Sequence, residues 1–268
     1  MGGGAFLAYN IANSPSACTI SLSPSLIKDI KTKTFFSSLG CVSLYDFSKI
    51  ERTFRDKFEY FLQACFENEN ILLSLRNDGS LEHIKRYFPS FYASNFHEIL
   101  DNGFFYKLEK GFSLPIQKEY IALNITKDQL QKNEQDLQKY YENSAKLIEK
   151  VIDDFNLAFV FVPHIYSDLE AFCLLLNKID ERYRRFFIFV APLIQKDEGA
   201  DFIAKIYANA KISLCCRFHA NIINLALNKK IIGIATVQRT RALFESVNLS
   251  DDLIDLNMDD FFELLYKK

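Results

Sequence analysis

Arg217 and His219 are the residues whose types and spacing most directly indicate chemistry. Arg217 directly follows an apolar run, Ile212 to Cys216, and His219 lies near the start of an amphipathic run that begins at Phe218. This pattern predicts a strand that delivers a guanidinium and an imidazole to the start of a helix. Backbone N–H groups and the positive end of the helix dipole lie at such a start, so an arginine there can complete an anion site. A structural interpretation also fits these two residues: Arg217 pairs with a surface carboxylate, and His219 is packed and hydrogen-bonded.

A second histidine stands in a comparable place. His164 follows the apolar run 157–162 and precedes a helix that begins near Asp168. Because ligands of parallel sheets bind beyond the carboxyl ends of the strands, His164 and His219 are predicted to face one crevice. The alternative is that His164 is a loop histidine without a functional role.

Arg76 repeats the arrangement in the first half of the chain. It ends the apolar run that starts at Ile71, and the sequence Asn77-Asp78-Gly79-Ser80 leads into another predicted helix. Arg76 is therefore a second arginine at a predicted strand end. The alternative is a polar turn in which Asp78 or Ser80 caps the helix.

The elements that must position these residues follow from hydrophobic periodicity. In the first half we predict short strands at 17–22 and 41–45, a helix opening at 23–25, a helix over 49–66, a strand at 71–75 and a strand at 96–100. In the second half, strands at 120–125, 157–162, 186–191, 211–216 and 231–236 alternate with helices near 127–153, 168–179, 199–210, 218–228 and 239–247. Apolar strands separated by amphipathic helices predict a parallel sheet covered on both faces. The mixed segment 106–118 indicates a domain boundary, giving domains 1–112 and 113–268. The second domain is predicted to end in a helix over 258–266.

Composition argues against several classes of protein. The chain has 268 residues, 49% of them hydrophobic and 25% charged, which is typical of globular proteins. Its formal charge of -2 argues against a protein that neutralises nucleic acid along its whole surface. We find neither an apolar run of about 20 residues nor a signal sequence, so we expect a cytoplasmic protein without a transmembrane segment. The six cysteines lack metal-ligand spacing and are predicted to be reduced thiols.

Several segments occur in a defined order. From the N-terminus they are Gly2-Gly3-Gly4, Leu75-Arg76-Asn77-Asp78 with Ser80, 100–104, 121–125, Phe161-Val162-Pro163-His164 with Asp168, 216–220, and Ile232-Gly233-Ile234 followed by Arg239 and Leu243-Phe244. This ordered set resembles the polysaccharide pyruvyl transferase family over nearly the whole chain. Phe218 stands where the family usually has leucine, and Arg239 stands where lysine is common.

The resemblance implies an α/β fold of two Rossmann-like domains with parallel sheets in a GT-B-like arrangement. It implies that the first domain is truncated, because family members carry strand and helix units before the glycine loop Gly2, Gly3 and Gly4. The implied reaction transfers pyruvate from phosphoenolpyruvate to a sugar hydroxyl pair as a ketal in polysaccharide or glycan biosynthesis. The implied partners are phosphoenolpyruvate and a saccharide acceptor, free or lipid-linked, with no cofactor and no metal.

The resemblance also implies roles for individual residues. Arg217 is expected to bind the phosphate or carboxylate of the donor, since a guanidinium pairs with either group through two hydrogen bonds. His219 is expected to act as the catalytic acid. Arg76, His164 and Arg239 are expected to bind substrate.

Two other functions remain open at this point. The same domains serve many chemistries, so a GT-B-like glycosyltransferase that uses a nucleotide sugar is one alternative. A truncated, inactive relative that serves as a binding protein is the other.

Overall fold

The computed structural model describes residues 6–41, 51–108, 115–128, 130, 133–194 and 196–268, and only the backbone of residues 196 and 197. The chain divides into two units, Met1–Asn102 and Gly103–Lys268. The boundary predicted at residue 112 falls in the segment 109–114, outside the described residues, so it stays a prediction. Among the described residues, no helix combines the length and the apolar character that crossing a membrane requires.

The first unit is built on a three-stranded parallel sheet of order β1-β2-β3. Tyr9 stacks on Phe58 with ring centroids 4.8 Å apart, and Phe61 and Phe88 extend this aromatic core. Its elements are α1 (Pro24–Asp29), β1 (Thr34–Leu39), α2 (Arg52–Glu67), β2 (Ile71–Arg76), α3 (Ser80–Tyr87), α4 (Ser90–Asn95) and β3 (His97–Ile99).

Most of the predicted elements of this unit are confirmed, but the first strand was placed wrongly. Residues 17–22 form no strand, since Ala17 has a φ of 58° and the buried Ser14 and Ser16 hydroxyls bond to each other at 2.9 Å. The strand is instead β1, whose apolar run is interrupted by two serines. The backbone N–H of Ser38 donates to the Ser74 hydroxyl at 2.8 Å, so this buried polar group has a hydrogen-bond partner inside the sheet. The predicted strand 41–45 lies outside the described residues except for Cys41, which is not in a strand.

The second unit contains a six-stranded parallel sheet of order β6-β5-β4-β7-β8-β9. Its elements are β4 (Tyr120–Asn124), α5 (Glu134–Phe155), β5 (Ala158–Phe161), α6 (Tyr166–Leu176), α7 (Glu181–Phe187), β6 (Ile188–Val190), α8 (Lys196–Asn209), β7 (Ile212–Cys215), α9 (Phe218–Ala226), β8 (Ile231–Ala235), α10 (Gln238–Ser246), β9 (Leu253–Asp255) and α11 (Phe261–Lys267). This is the strand order of a doubly wound Rossmann fold. The predicted α/β fold class with parallel sheets is confirmed.

The five strands predicted for this unit are all present, whereas α7 and β9 were not predicted. Both faces of the sheet are covered, as the near-continuous apolar strands require. Ile121 and Leu123 pack into one core with α5, α6 and α11, and Tyr120 and Ala122 pack into the other. Helix α5 begins later than predicted because Asn133 caps it, accepting a hydrogen bond from the Asp136 backbone at 2.9 Å.

Candidate functional site

The candidate site lies where the strand order of the second sheet reverses. Strands β4, β5 and β6 follow one another in one direction across the sheet, and β7, β8 and β9 follow in the other. Asn124 ends β4, and its register partner Cys215 ends the neighbouring β7. In doubly wound sheets a crevice opens at this position, beyond the carboxyl ends of the strands.

Asn124 holds three strand ends together. Its side-chain oxygen accepts the backbone N–H of Arg217 at 2.9 Å, and its amide donates to the carbonyl of Val162 at 2.9 Å. Its backbone carbonyl accepts the N–H of Cys216 at 3.1 Å. The side chain is fully buried, so these bonds satisfy polar groups that would otherwise be costly to enclose.

The Arg217 guanidinium is held by two carboxylates on two of its edges. Along one edge, Nε and Nη2 donate to Oδ1 of Asp168 at 3.1 and 2.6 Å. Across the outer edge, Nη1 and Nη2 donate to Asp128 at 3.2 and 2.7 Å. Arg217 is therefore ion-paired, as the structural interpretation predicted. Its two carboxylate partners, however, differ greatly in exposure.

Asp168 is the enclosed partner. Its side chain has no exposed surface, and it accepts the backbone N–H groups of His164 at 2.9 Å and Ile165 at 3.4 Å as well as the bonds from Arg217. As the third residue of α6 it also lies at the favourable end of the helix dipole. A carboxylate with this many donors fixes the guanidinium in place.

Asp128 is the accessible partner. It lies in the loop after β4, and its side chain is 38% exposed against 12% for Arg217. Burial alone would raise the pKa of Asp128, but hydrogen bonds from Arg217 and Thr126 outweigh burial and lower the pKa. Burial would likewise lower the pKa of Arg217, and hydrogen bonds to Asp168 and Asp128 outweigh it. Both side chains are therefore charged at neutral pH.

His164 lies close to this pair but is already engaged. Its Nε2 is hydrogen-bonded to the buried Tyr207 hydroxyl at 2.9 Å. Burial lowers the pKa of His164 to about 4; Asp168 opposes this shift, whereas His219 and Arg217 add to it. At neutral pH the imidazole is uncharged, so it is a hydrogen-bonding group and not a proton donor.

His219 occupies the second position of α9, two residues after the cap residue Arg217, and its side chain is exposed. Arg239 occupies the second position of α10, after the adjacent strand β8, and is half-buried. The structure thus brings Arg217, His164 and His219 together and places Arg239 at the same edge of the sheet, one strand further along.

Arg76 belongs to the other unit and has a different environment. Its side chain has no exposed surface, and it pairs with Asp78 at 2.6 Å and with Asp101 at 3.1 Å. The Asn77 side chain accepts a hydrogen bond from the backbone N–H of Asp101 at 3.0 Å. Two of the segments that carry the family resemblance, the one around Arg76 and the one at 100–104, are therefore in direct contact. This arrangement joins the end of β2 to the loop after β3. A direct substrate contact for Arg76 stays a prediction, and Gly2, Gly3 and Gly4 lie outside the described residues.

Two residues of the site were missed by the sequence analysis. Asn124 carries a signal that could have found it, since it is a polar residue at the end of an apolar strand. Asp128 carries no such signal, because a single aspartate in a loop is most simply a solvated turn residue. Asp168 was noticed as part of a motif but was given no role.

This arrangement suits the recognition of an anion with two acceptor oxygens. The outer edge of Arg217 already binds a carboxylate in the bidentate geometry that phosphates and carboxylates share. The exposed imidazole of His219 adds a second group able to form hydrogen bonds at this edge of the sheet.

Comparisons with known proteins give the family of the chain and agree with its fold. A family model described as polysaccharide pyruvyl transferase matches residues 9–237, and no curated protein matches the chain. Among solved structures, UDP-GlcNAc 2-epimerase from Methanocaldococcus jannaschii is 13% identical with a TM-score of 0.51, covering 86% of this chain and 62% of the epimerase. TarM is 13% identical with a TM-score of 0.48, covering 91% of this chain and 46% of TarM.

At such low identity the likeness to the epimerase shows the fold alone. The chain spans 62% of the length of the epimerase.

Proposed function

The chain belongs to the polysaccharide pyruvyl transferase family, and we propose that it transfers the carbon skeleton of phosphoenolpyruvate to two hydroxyl groups of a saccharide as a pyruvate ketal. One sugar hydroxyl adds to the enol carbon and the methylene carbon gains a proton. Phosphate leaves, and the second hydroxyl closes the ketal. The overall balance is donor plus diol giving ketal plus inorganic phosphate.

The observation that carries the proposal is the bidentate contact of Asp128 on the outer edge of Arg217. Two hydrogen bonds join the Asp128 carboxylate to this edge, and the proposal gives the same position to a carboxylate or phosphate of the donor. In this mechanism Asp168 keeps the guanidinium fixed, and the donor displaces the half-exposed Asp128. Before the donor binds, Asp128 neutralises the charge of Arg217. Once Asp128 is displaced, that charge binds the donor anion.

His219 is the proposed acid. It lies two residues after Arg217, in the first turn of α9, and in the proposal a donor bound to Arg217 lies beside it. In this role it protonates the methylene carbon or the departing phosphate. The uncharged His164 orients the donor through a hydrogen bond, and Arg239 contributes positive charge from the start of α10.

The experiment measures phosphate release from phosphoenolpyruvate in the presence of saccharides that carry neighbouring hydroxyl pairs. We expect acceptor-dependent release by the wild type, loss of release in Arg217→Ala and a strong decrease in His219→Gln. Arg184→Ala is the matched control, because it removes an exposed guanidinium on α7.

Calorimetry provides the second measurement. Phosphoenolpyruvate should bind the wild type and Arg184→Ala but not Arg217→Ala. Binding of a nucleotide sugar without binding of phosphoenolpyruvate would instead support the glycosyltransferase alternative. Undiminished phosphate release by Arg217→Ala would refute the role of the arginine.

A further inference from the structure

A cavity lies in the second unit on the sheet face that α5 and α11 cover. Its volume is about 390 Å³, within the range of roughly 300 to 1,000 Å³ that small-molecule sites occupy. Leu214 and Ile232 of the sheet, Leu147 and Val151 of α5, and Leu265 of α11 are among the residues that line it. The lining is therefore mostly aliphatic and aromatic.

The chain topology accounts for this space. The connections that follow β6, β7 and β8 place α8, α9 and α10 against the other core of the sheet, as their buried residues show. On the cavity face, β7 and β8 are covered by α5 and by the seven-residue α11. A short helix over two strands leaves apolar surface that its side chains do not fill, and a cavity lined by apolar side chains favours an apolar guest.

The charged side chains that line the cavity all have the same sign. Every charged residue in its lining is a lysine, and each is exposed: Lys211, Lys230, Lys267 and Lys268. Lys211 and Lys267 pair with Glu119 and Glu263, whereas Lys230 makes no ion pair with a described residue. The cavity therefore combines an apolar interior with a positively charged, solvent-facing end.

This end is separate from the candidate active site. Lys211 directly precedes β7 and Lys230 directly precedes β8, so both lie at the amino edge of the parallel sheet. Arg217 follows β7 and lies at the carboxyl edge. A ligand whose charged group contacts Lys230 would not occupy the position of the donor.

We propose that this cavity binds an amphipathic anion, a linear alkyl chain that carries a carboxylate or phosphate head group. The chain fills the apolar space between α5, α11 and the sheet, and the head group contacts Lys230 at the amino edge. The negatively charged head group pairs with the lysines, since no acidic side chain of the described residues lines the cavity. The alkyl chain of the ligand makes van der Waals contacts that the lining residues lack when the cavity is empty.

Calorimetry on the full chain tests the proposal with three probes below their aggregation concentrations: dodecanoate, dodecyl phosphate and dodecanol. We expect one molecule of dodecanoate or dodecyl phosphate to bind per chain, and dodecanol to bind at least about tenfold more weakly, since about 1.4 kcal/mol from the head group corresponds to that factor. The ratio between the two anions distinguishes a carboxylate from a phosphate head group.

Two pairs of variants locate the ligand. Lys230→Glu should weaken binding about tenfold or more, whereas Lys229→Glu, a neighbouring lysine outside the lining, should not change it. Leu147→Trp and, independently, Val151→Phe should abolish binding by filling the cavity. Leu137→Trp, on α5 but outside the lining, should retain it.

Thermal melts of all variants verify that each one folds. Because two variants fill the cavity, the test still works if one of them fails to fold. Absence of binding by both anions would overturn the proposal. Equal affinity for dodecanol, or undiminished affinity in a folded filling variant, would overturn it as well.

Discussion

Replacing Asp128 with asparagine tests the displacement step of the proposed mechanism. The substitution keeps the shape of the side chain and removes its charge, so the outer edge of Arg217 loses its competing carboxylate. We expect phosphoenolpyruvate to bind more tightly to Asp128→Asn than to the wild type, because the donor no longer has to break the ion pair.

The magnitude follows from the geometry of the pair. Two bonds of 2.7 and 3.2 Å join Asp128 to a guanidinium that is only 12% exposed, but the carboxylate itself is 38% exposed. Exposed pairs contribute about 0.2 to 1 kcal/mol, and bidentate, partly shielded pairs contribute more. An interaction of roughly 1 to 2 kcal/mol corresponds to about 5- to 30-fold tighter donor binding.

Calorimetric titration with phosphoenolpyruvate is the assay, with Glu170→Gln as the matched control. Glu170 is on α6 and pairs with Lys127 at 2.8 Å, so its replacement removes one negative charge nearby without touching Arg217. If Asp128→Asn binds the donor no better than Glu170→Gln does, Asp128 is not displaced and the reasoning fails. Weaker binding by Asp128→Asn would show that the aspartate is itself part of the donor site.

Three further predictions concern the support of the site. Asp168→Asn should lower the free energy of unfolding by about 3 to 5 kcal/mol, since it leaves Arg217 without its enclosed partner. A loss under about 1 kcal/mol in urea titrations would contradict this expectation. Gly233→Ala should lower the free energy of unfolding by about 1 to 3 kcal/mol, because the added carbon would overlap the Phe244 ring, and an unchanged melting temperature would count against it. The pKa of His164 falls from 6.5 to about 4 on folding, so the unfolded chain binds more protons between these values and stability is lost as pH drops through that window. Urea titrations at pH 7 and 5 should show a smaller loss for His164→Gln than for the wild type, and equal losses would exclude the histidine as a cause.

The first unit shows why some elements could not be predicted from sequence. Strand β1 contains Ser37 and Ser38, which interrupt the apolar pattern that identifies a buried strand. Ser38 is nevertheless fully buried, because Ser74 on the neighbouring β2 accepts its backbone N–H. The partner lies 36 residues away, so no local pattern records it.

The strands of the second unit were predictable for the opposite reason. Parallel strands buried on both faces must be apolar at nearly every position, and the helices between them must carry one apolar face. These requirements are local and appear directly in the sequence. The same patterns placed Arg217 and His219 at the junction of β7 and α9, and His164 after β5.

By itself the sequence determined the α/β class, the positions of the strands that carry the site, and the candidates Arg217, His164 and His219. Only the tertiary structure decided which groups each of them contacts and how far each is buried. It showed that Arg217 is held by Asp168 on one edge and covered by Asp128 on the other, and that Arg76 is enclosed with Asp78. Charge pairing and burial depend on residues that are distant in the chain and adjacent in space, so strand and helix periodicity carries no information about them.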